Sequence, residues 1–421
     1  MQSSKARTFL TQLFDVAVST ADPMQVIAQH LPEKPDGRVI VIGAGKASAR
    51  MAEAVEQAWG PCEGLVITRY GYGRPTQTIE IVEAAHPVPD DAGEVATKRM
   101  LDLLATAGDG DFVLALISGG ASALLVQPVA GLDLQDKRAV NAALLSSGAP
   151  IDAMNTVRKH LSRVKGGQLA AAAYPAKMLA LMISDVPGDD MAFIGSGPTV
   201  GDASGADDAL AILERWQVKV DDKVKGVLKT GSGVIQPGDD RLSRVENRVI
   251  IAPSQSLEAA ADAATEQGFD VRILGDSIEG EARDVAAAQA SQALEIQGTL
   301  KAGGKPVVLL SGGELTVTRR GEGIGGPNAE FCLAAAIALD GATGIHLIAC
   351  DTDGVDGAAE VAGAVVTPDT LTRAIEKGID PQAALANNDA HSFFARLDDQ
   401  VVPGPTLTNV NDFRAILIEP V

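Results

Sequence analysis

Two α/β domains, the first built on a mainly parallel sheet, are predicted for this chain on three observations. Apolar runs alternate with helical patterns through the first two-thirds of the sequence, the mark of a parallel sheet covered on both faces. The 421 residues suffice for two domains of ordinary size, each with its own core. Around 218–247 the pattern weakens into polar, glycine-containing sequence (KTGSGVIQPGDDRLSR), which sets the expected division into residues 1–240 and 241–421.

The elements follow in order. The stretch KARTFLTQLFDVAVSTADP has apolar residues at helical spacing with charges interspersed, so it reads as an amphipathic helix and not as an export signal. Strands are expected at 38–42, 64–68, 79–83, 112–117 and 177–184, and helices at 46–58, 91–107, 136–147, 155–173 and 205–216. Beyond the boundary, 248–252, 271–274, 307–311, 345–350 and 413–418 read as strands of the second unit. Helices near 254–267, 280–299 and 328–339 would pack on it. The uncharged run 112–132 is about long enough to span a bilayer. Gly119-Gly120 and Pro128 instead divide it into strand, loop and helix start.

Composition narrows the partners. Aromatics are only 3% of residues, so stacking surfaces for single-stranded nucleic acid are scarce. A formal charge of −20 argues against DNA, RNA or an acidic membrane. A small anionic substrate needs only a local positive pocket and stays open. Cys62, Cys332 and Cys350 have no CxxC spacing and fit a reducing compartment, so the protein is expected to be cytoplasmic. A homo-oligomer is compatible with the sequence.

Lys46 stands where a helix opens after strand 39–42 and the turn Gly43-Ala44-Gly45. A cation is mildly unfavourable at a helix N-terminus unless an anion binds beside it. GAGK is not a P-loop, because no glycine precedes it at the required spacing. Nor is it a dinucleotide fingerprint: Ser48 occupies the third glycine position and Glu63 precedes the next strand. Ser118-Gly119-Gly120 and Ser311-Gly312-Gly313 each follow an apolar strand, where side-chain-free backbone can approach a ligand and form an anion nest. NTVRKHLSRVKGGQLA (155–170) concentrates Arg158, Lys159, His160, Arg163 and Lys165 within eight residues, with Asn155 as a plausible cap. Arg158 could clamp a carboxylate or phosphate bidentately, while His160 reads as a hydrogen-bonded structural histidine. In SDVPGDDMAFIGSGPTVGD (184–202), Asp185, Asp189 and Asp190 could offer oxygen to magnesium. Asp351 and Asp353 sit in a loop that lacks the terminal glutamate of a calcium site. The bland alternatives, a solvated lysine, tight turns and a solvated basic face, remain open at this point.

Together VIGAGKASARMAEAVE, AAHPVPDDAG, LISGGASALL, NTVRKHLSRVKGGQLA, ISDVPGDD with GSGPTVGD, LLSGGELTV, DTDGVDG and GPTLTNVNDFRAILI resemble, in order, the blocks of the bacterial-type glycerate 2-kinases, whose C-terminal part is the MOFRL domain. The resemblance runs nearly the whole chain. It implies a Rossmann-like N-terminal domain, a smaller α/β C-terminal domain and an active cleft between them. The implied reaction is phosphorylation of D-glycerate to 2-phosphoglycerate by ATP with Mg2+. Lys46 matches the family's GAGK lysine, regarded as catalytic, and Arg158 or Arg320 would join it in offsetting charge. Gly43, Gly45, Ser118, Gly119, Gly120, Asn155, Ser311, Gly312, Gly313, Asn328, Asp351 and Asp353 are the candidate substrate- and phosphate-binding set, and Asp189 the magnesium ligand. One departure is Pro327, where many members carry an arginine in a GGRN motif. Many members bear a hydroxypyruvate reductase label, which the missing nicotinamide fingerprint argues against. A non-catalytic nucleotide- or sugar-acid-binding protein is the other alternative.

Overall fold

Six parallel strands form the sheet of the first unit, Pro23–Ile251, in the computed structural model, which describes residues 2–421. They are β1 (Val39–Ala44), β2 (Glu63–Arg69), β3 (Glu80–Ala84), β4 (Phe112–Ile117), β5 (Lys177–Ile183) and β6 (Val245–Ile251). Their order is β3-β2-β1-β4-β5-β6, parallel throughout. Every residue of β1, VIVIGA, is buried, as a strand covered on both faces requires. Ile40, Ile42, Val113, Ala115 and Ile117 share a core with Ala96, Met100 and Leu104 of the helix Asp91–Leu104. Asp90 starts that helix by accepting from the Gly93 N–H at 3.1 Å. Strand order reverses between β1 and β4, and the crevice beyond the carboxyl ends of such a pair is where open α/β sheets bind ligands.

A smaller helical core sits within the same unit. Helices Leu134–Ser146, Ile151–His160, Ala206–Arg215 and Asp222–Lys229 pack Val140, Leu144, Val157, Leu161, Leu213 and Leu228 together. Asp133 and Asp136 close a reciprocal cap on the first of these helices.

The second unit comprises the chain up to Asp22 and Ala252–Val421. Its strands are β7 (Asp270–Gly275), β8 (Gly280–Glu281), β9 (Val307–Gly312), β10 (Leu315–Thr316), β11 (Ile345–Asp351), β12 (Gly363–Val366), β13 (Gln400–Val401) and β14 (Asp412–Ile418). The main sheet runs β13-β12-β11-β14-β9-β7, antiparallel except between β7 and β9. Helix Ser3–Thr20 lays Phe9, Leu10, Leu13 and Phe14 against Val308, Leu310, Ile348 and Phe413 on one face. Helices Ala282–Thr299 and Pro327–Leu339 contribute to the core on the other.

Three expectations are corrected. The strand at 248–252 is β6, and it pairs with β5 of the first sheet, so the division falls at Ile251/Ala252 and not at 240/241. The polar stretch before it marks an excursion within the first unit, because polarity reports exposure and not which sheet the next strand joins. The N-terminal helix exists as expected but belongs with the second unit, since its apolar stripe needed a partner that is distant in sequence. The single helix expected over 155–173 is two, Ile151–His160 and Gln168–Ala173. Gly166 and Gly167, at φ of +58° and +77°, stand immediately before the second, a backbone conformation no continuous helix can hold.

That turn is fixed from outside. Gly166 and Gly167 N–H groups donate to the carbonyls of Ser196 (3.1 Å) and Gly197 (2.8 Å), and Lys159 Nζ meets Asp202 Oδ2 at 2.5 Å. Burial alone would raise Asp202, but the Lys159 ammonium and the Ser204 hydroxyl and N–H hold its carboxyl down at about 2. Asp202→Asn should therefore destabilise the fold by about 3–5 kcal/mol at neutral pH, because Lys159 is left buried and unpaired. The folded value lies below the ordinary 3.8, so this stabilisation is full above pH 3.8 and fades as pH falls through about 2. Denaturant titrations of both proteins at pH 7 and pH 3 measure it, with the difference narrowing at the lower pH.

Candidate active site

The first strand-to-helix turn is packed by backbone against the neighbouring strand. A Cβ at Gly43 would lie 2.5 Å from the Leu116 carbonyl oxygen, and one at Gly45 would overlap Ser118 Oγ. Gly45 also holds φ at +138°, which only glycine takes readily. The N–H groups expected to cradle an anion here are already engaged. Gly45 donates to Ile67 O (3.1 Å), Lys46 to Gly119 O (2.8 Å) and Ala47 to Ser118 Oγ (3.0 Å). Gly43 and Gly45 thus shape the turn and bring the Lys46 backbone against Gly119. Ser118 is fully buried and ties the β4 loop to this turn, its Oγ also 3.1 Å from Ser48 Oγ.

The N–H groups of Gly119 and Gly120 donate to no protein acceptor among the described residues. Gly120 has φ of +83°, and a Cβ there would sit 3.2 Å from both Lys46 Cγ and His86 Nε2. Lys46, Gly120 and His86 are therefore immediate neighbours at the switch point of the sheet.

Beside them opens a cavity of about 200 Å³, lined by His86, Gly120, Ser122, Lys137, Arg158 and Lys165 among others. Its lining includes no aspartate or glutamate. Arg158 Nε donates to Asn141 Oδ1 at 2.9 Å and Nη1 to Asn155 Oδ1 at 3.4 Å. Asn155 Oδ1 also accepts from Ser196 Oγ at 3.4 Å, so Asn155 holds the arginine from behind, while Asn141 holds it from the cavity wall. Lys165 is 2% exposed and donates to the carbonyls of Ser122 (2.8 Å) and Leu125 (3.4 Å), and Lys137 to that of Leu161 (3.1 Å). None of the three cations has a carboxylate partner among the described residues. Burial, and then the neighbouring Arg158, push the Lys137 ammonium down to about 8. Lys165 is driven well below its ordinary value by burial and by Lys137, Arg158 and Lys159. Burial lowers Arg158 as well. Cations withdrawn from water without acids are costly unless an anion joins them, and of these three Lys165 is buried while Lys137 and Arg158 are half-buried.

The structure brings the sequence candidates Lys46, Gly120, Asn155 and Arg158 close to His86, Lys137 and Lys165, which were not among the candidates. Lys165 lies in the basic cluster named from the sequence, and His86 in one of the blocks quoted from it. Lys137 carried no signal, being one lysine on an ordinary amphipathic helix. His160 is structural as expected: Nδ1 lies 2.6 Å from Ser232 Oγ and Nε2 3.0 Å from Ser204 Oγ. Asp189 Oδ1 is buried without a hydrogen-bond partner. The GSGP segment accepts through the Gly197 and Pro198 carbonyls from Gly167 and Leu169.

The candidates of the second unit largely serve its own architecture. Ser311 is buried with Gln289 Nε2 at 3.3 Å. The carbonyls of Gly312 and Gly313 accept from Arg414, at 3.2 and 2.5 Å. Asn328, expected to touch substrate, is fully buried, and its amide donates to Asp412 at 2.6 Å. Asp351 and Asp353 accept from the N–H groups of Asp353 (2.9 Å) and Val355 (2.8 Å), bracing their own loop. Asp356 takes the N–H groups of Asn328 (3.0 Å) and Ala329 (2.8 Å) at the start of helix Pro327–Leu339, so the chain's own carboxylate occupies the place an anion would take. Arg320 is exposed, with its N–H fixed by Asn388 Oδ1 at 2.7 Å.

Residues 9–229 match the family described as a domain of unknown function, DUF4147, and residues 307–412 match the MOFRL family. A protein of Agrobacterium vitis with the provisional name hydroxypyruvate reductase is 50% identical over 98% of this chain and 94% of its own. A D-glycerate 2-kinase of Thermotoga maritima is 39% identical over 94% of each chain. The crystal structure of a glycerate kinase from Thermotoga maritima matches with a TM-score of 0.87 at 37% identity, covering 99% of this chain and 100% of that one. With both segments matched and the likeness running nearly end to end, this chain belongs to the glycerate 2-kinase family that carries the MOFRL domain.

Proposed function

We propose that this protein phosphorylates the 2-hydroxyl of D-glycerate, with ATP as donor and Mg2+ as the assisting ion. The observation that carries the reading is a cationic cavity without carboxylates, adjoining Lys46 and the Gly119–Gly120 N–H groups at the sheet's switch point. Phosphoryl transfer asks a protein mainly to position two substrates and to balance charge on the moving group. Lys46 supplies positive charge at the turn, the Gly119 and Gly120 N–H groups donate to phosphoryl or substrate oxygens, and Arg158 holds an anionic group of the acceptor. Asp189 is the carboxylate that would hold magnesium, because its buried Oδ1 has no protein partner. Magnesium binds through one or two carboxylates with waters and phosphates, so the lack of a cluster of three or more ligating side chains among the described residues is no obstacle. When bound, the ion neutralises charge on the donor's phosphates.

Incubation with D-glycerate, ATP and magnesium, coupled directly to enolase, tests the reaction and its regiochemistry together. Immediate enolase-competent product is expected; product that first needs a mutase would be 3-phosphoglycerate and would refute the 2-hydroxyl assignment. Consumption of NADH with hydroxypyruvate in place of any phosphoryl transfer would favour the reductase name instead. Lys46→Ala should lower kcat by about 10²–10³-fold, the scale of losing one charge-stabilising donor, with an unchanged thermal midpoint. A wild-type rate would remove Lys46 from the mechanism.

Alkaline pH offers an independent check. Lys137 faces Arg158, Lys165 and His86, and in the free protein loses its proton near pH 8. If the charged form is the one that binds, apparent affinity for the acid falls in proportion to the protonated fraction, roughly tenfold between pH 7 and 9. Stability moves the other way. The folded value lies below the ordinary 10.5, so between about pH 8 and 10.5 the unfolded chain holds a proton the native state has shed, and stability rises with pH. KM for D-glycerate and the denaturation midpoint, each followed from pH 7 to 9.5, should diverge in these directions.

A further inference from the structure

The donors around the cavity are only partly used by the protein. Lys165 Nζ commits two N–H bonds, to Ser122 and Leu125, and Lys137 Nζ commits one, to Leu161. Arg158 commits Nε and Nη1 to Asn141 and Asn155. One N–H of Lys165, two of Lys137 and the Nη2 group of Arg158 therefore have no protein acceptor among the described residues. These donors belong to three cations whose positions are fixed by carbonyls and amides, not by acids that a ligand would have to displace. The rest of the wall is mostly apolar, with Pro87, Val126, Val140 and Leu161. At about 200 Å³ the space is smaller than the roughly 300–1,000 Å³ of sites for drug-sized ligands. It suits a molecule of a few heavy atoms with one strongly accepting end, and it is too small for a nucleoside triphosphate.

We infer that Lys137 and Lys165, together with Arg158, form the carboxylate-recognition site for the acceptor acid. A small 2-hydroxy acid enters with its carboxylate among these three cations and its hydroxyl toward Gly120, the residue that adjoins Lys46. The nucleotide then has to bind outside this cavity. The identity of the acid rests on the kinase reading above; the assignment of the cavity to a carboxylate rests on the donors and the volume. Lys137 and Lys165 are in this sense specificity-determining: they select an acid over the corresponding polyol.

The test uses the full-length protein with Lys137→Met and Lys165→Met, which keep the aliphatic stems, and Lys137→Gln as a second substitution at the less buried position. Removing an enclosed, acid-free cation should leave the thermal midpoint unchanged or raise it. Calorimetric titration should give D-glycerate binding to the wild type and none to glycerol, which has the same carbon count without the carboxylate. In each variant affinity for D-glycerate should fall at least about 30-fold, with KM for ATP nearly unchanged. Undiminished D-glycerate affinity in the variants would overturn the assignment, as would a rise confined to KM for ATP. A wild type that does not bind D-glycerate would overturn it too. Wild-type protein that binds D-glycerate but transfers no phosphate would sink the kinase reading and leave the cavity assignment standing. Product formation with variants like wild type would do the reverse.

Discussion

Three cations around one cavity, Lys165 buried and Lys137 and Arg158 half-buried, without a balancing acid, are the constraint on which the first unit's site depends. Such a cluster opposes folding, and the fold carries signs of that opposition: Lys137 and Lys165 have lowered pKa values and Arg158 is lowered as well. What holds the cluster in place is neutral. Main-chain carbonyls of Leu161, Ser122 and Leu125 take the lysines, and Asn141 and Asn155 take the arginine. The helical core built on Val140, Val157 and Leu161 fixes the two helices that carry Lys137 and Arg158. The contrast with Lys159 is instructive, since that neighbour in sequence is buried too but is paired with Asp202. One segment thus treats its charges in two ways, neutralising Lys159 with a carboxylate and leaving Arg158 and Lys165 on the cavity with neutral partners only.

The second unit shows the opposite treatment. Glu330 is fully buried against Arg283 and Asn388, at 2.5 and 2.9 Å. Arg414 is enclosed with Asp412 at 2.8 Å and lies over the Phe331 ring, although burial still pushes the Asp412 carboxyl upward. Asp356 caps a helix and meets His391 Nε2 at 3.1 Å. Charges there close on one another, so most candidate residues of this unit have architectural duties within it.

This division explains what the sequence could reveal. Strong apolar periodicity located β1, β2, β4, β5, β9, β11 and β14 to within a residue or two, because buried strands leave little choice of side chain. It could not assign β6 or the first helix to a unit, since the same apolar stripe satisfies either partner. Glycine-rich turns were legible as turns, but whether their N–H groups face a ligand or the protein depends on register between strands. Ser118 consumes the Ala47 N–H from a neighbouring strand's loop, a relation no local pattern contains. Lys137 was invisible for a related reason: its meaning comes from Arg158 and Lys165, which the fold brings to it.

Pro327 can be understood in the same terms. It stands at the first position of helix Pro327–Leu339, where the absent N–H would have lacked an intrahelical partner anyway. Asp356 already satisfies the next two N–H groups. Proline is thus locally favourable there, and an arginine's positive charge is not needed to complete the helix start. The first turn supplies the matching argument about chemistry. In a dinucleotide fold the turn glycines let a pyrophosphate approach the backbone, whereas here Gly43 and Gly45 admit the β4 strand and Ser118 instead. With that approach filled by protein, the switch point keeps two glycine N–H groups without a protein acceptor among the described residues, and beside them a cavity lined by two lysines and an arginine. Those are the requirements of moving a phosphoryl group to a small acid, and the turn lacks the open backbone that would cradle a nicotinamide dinucleotide.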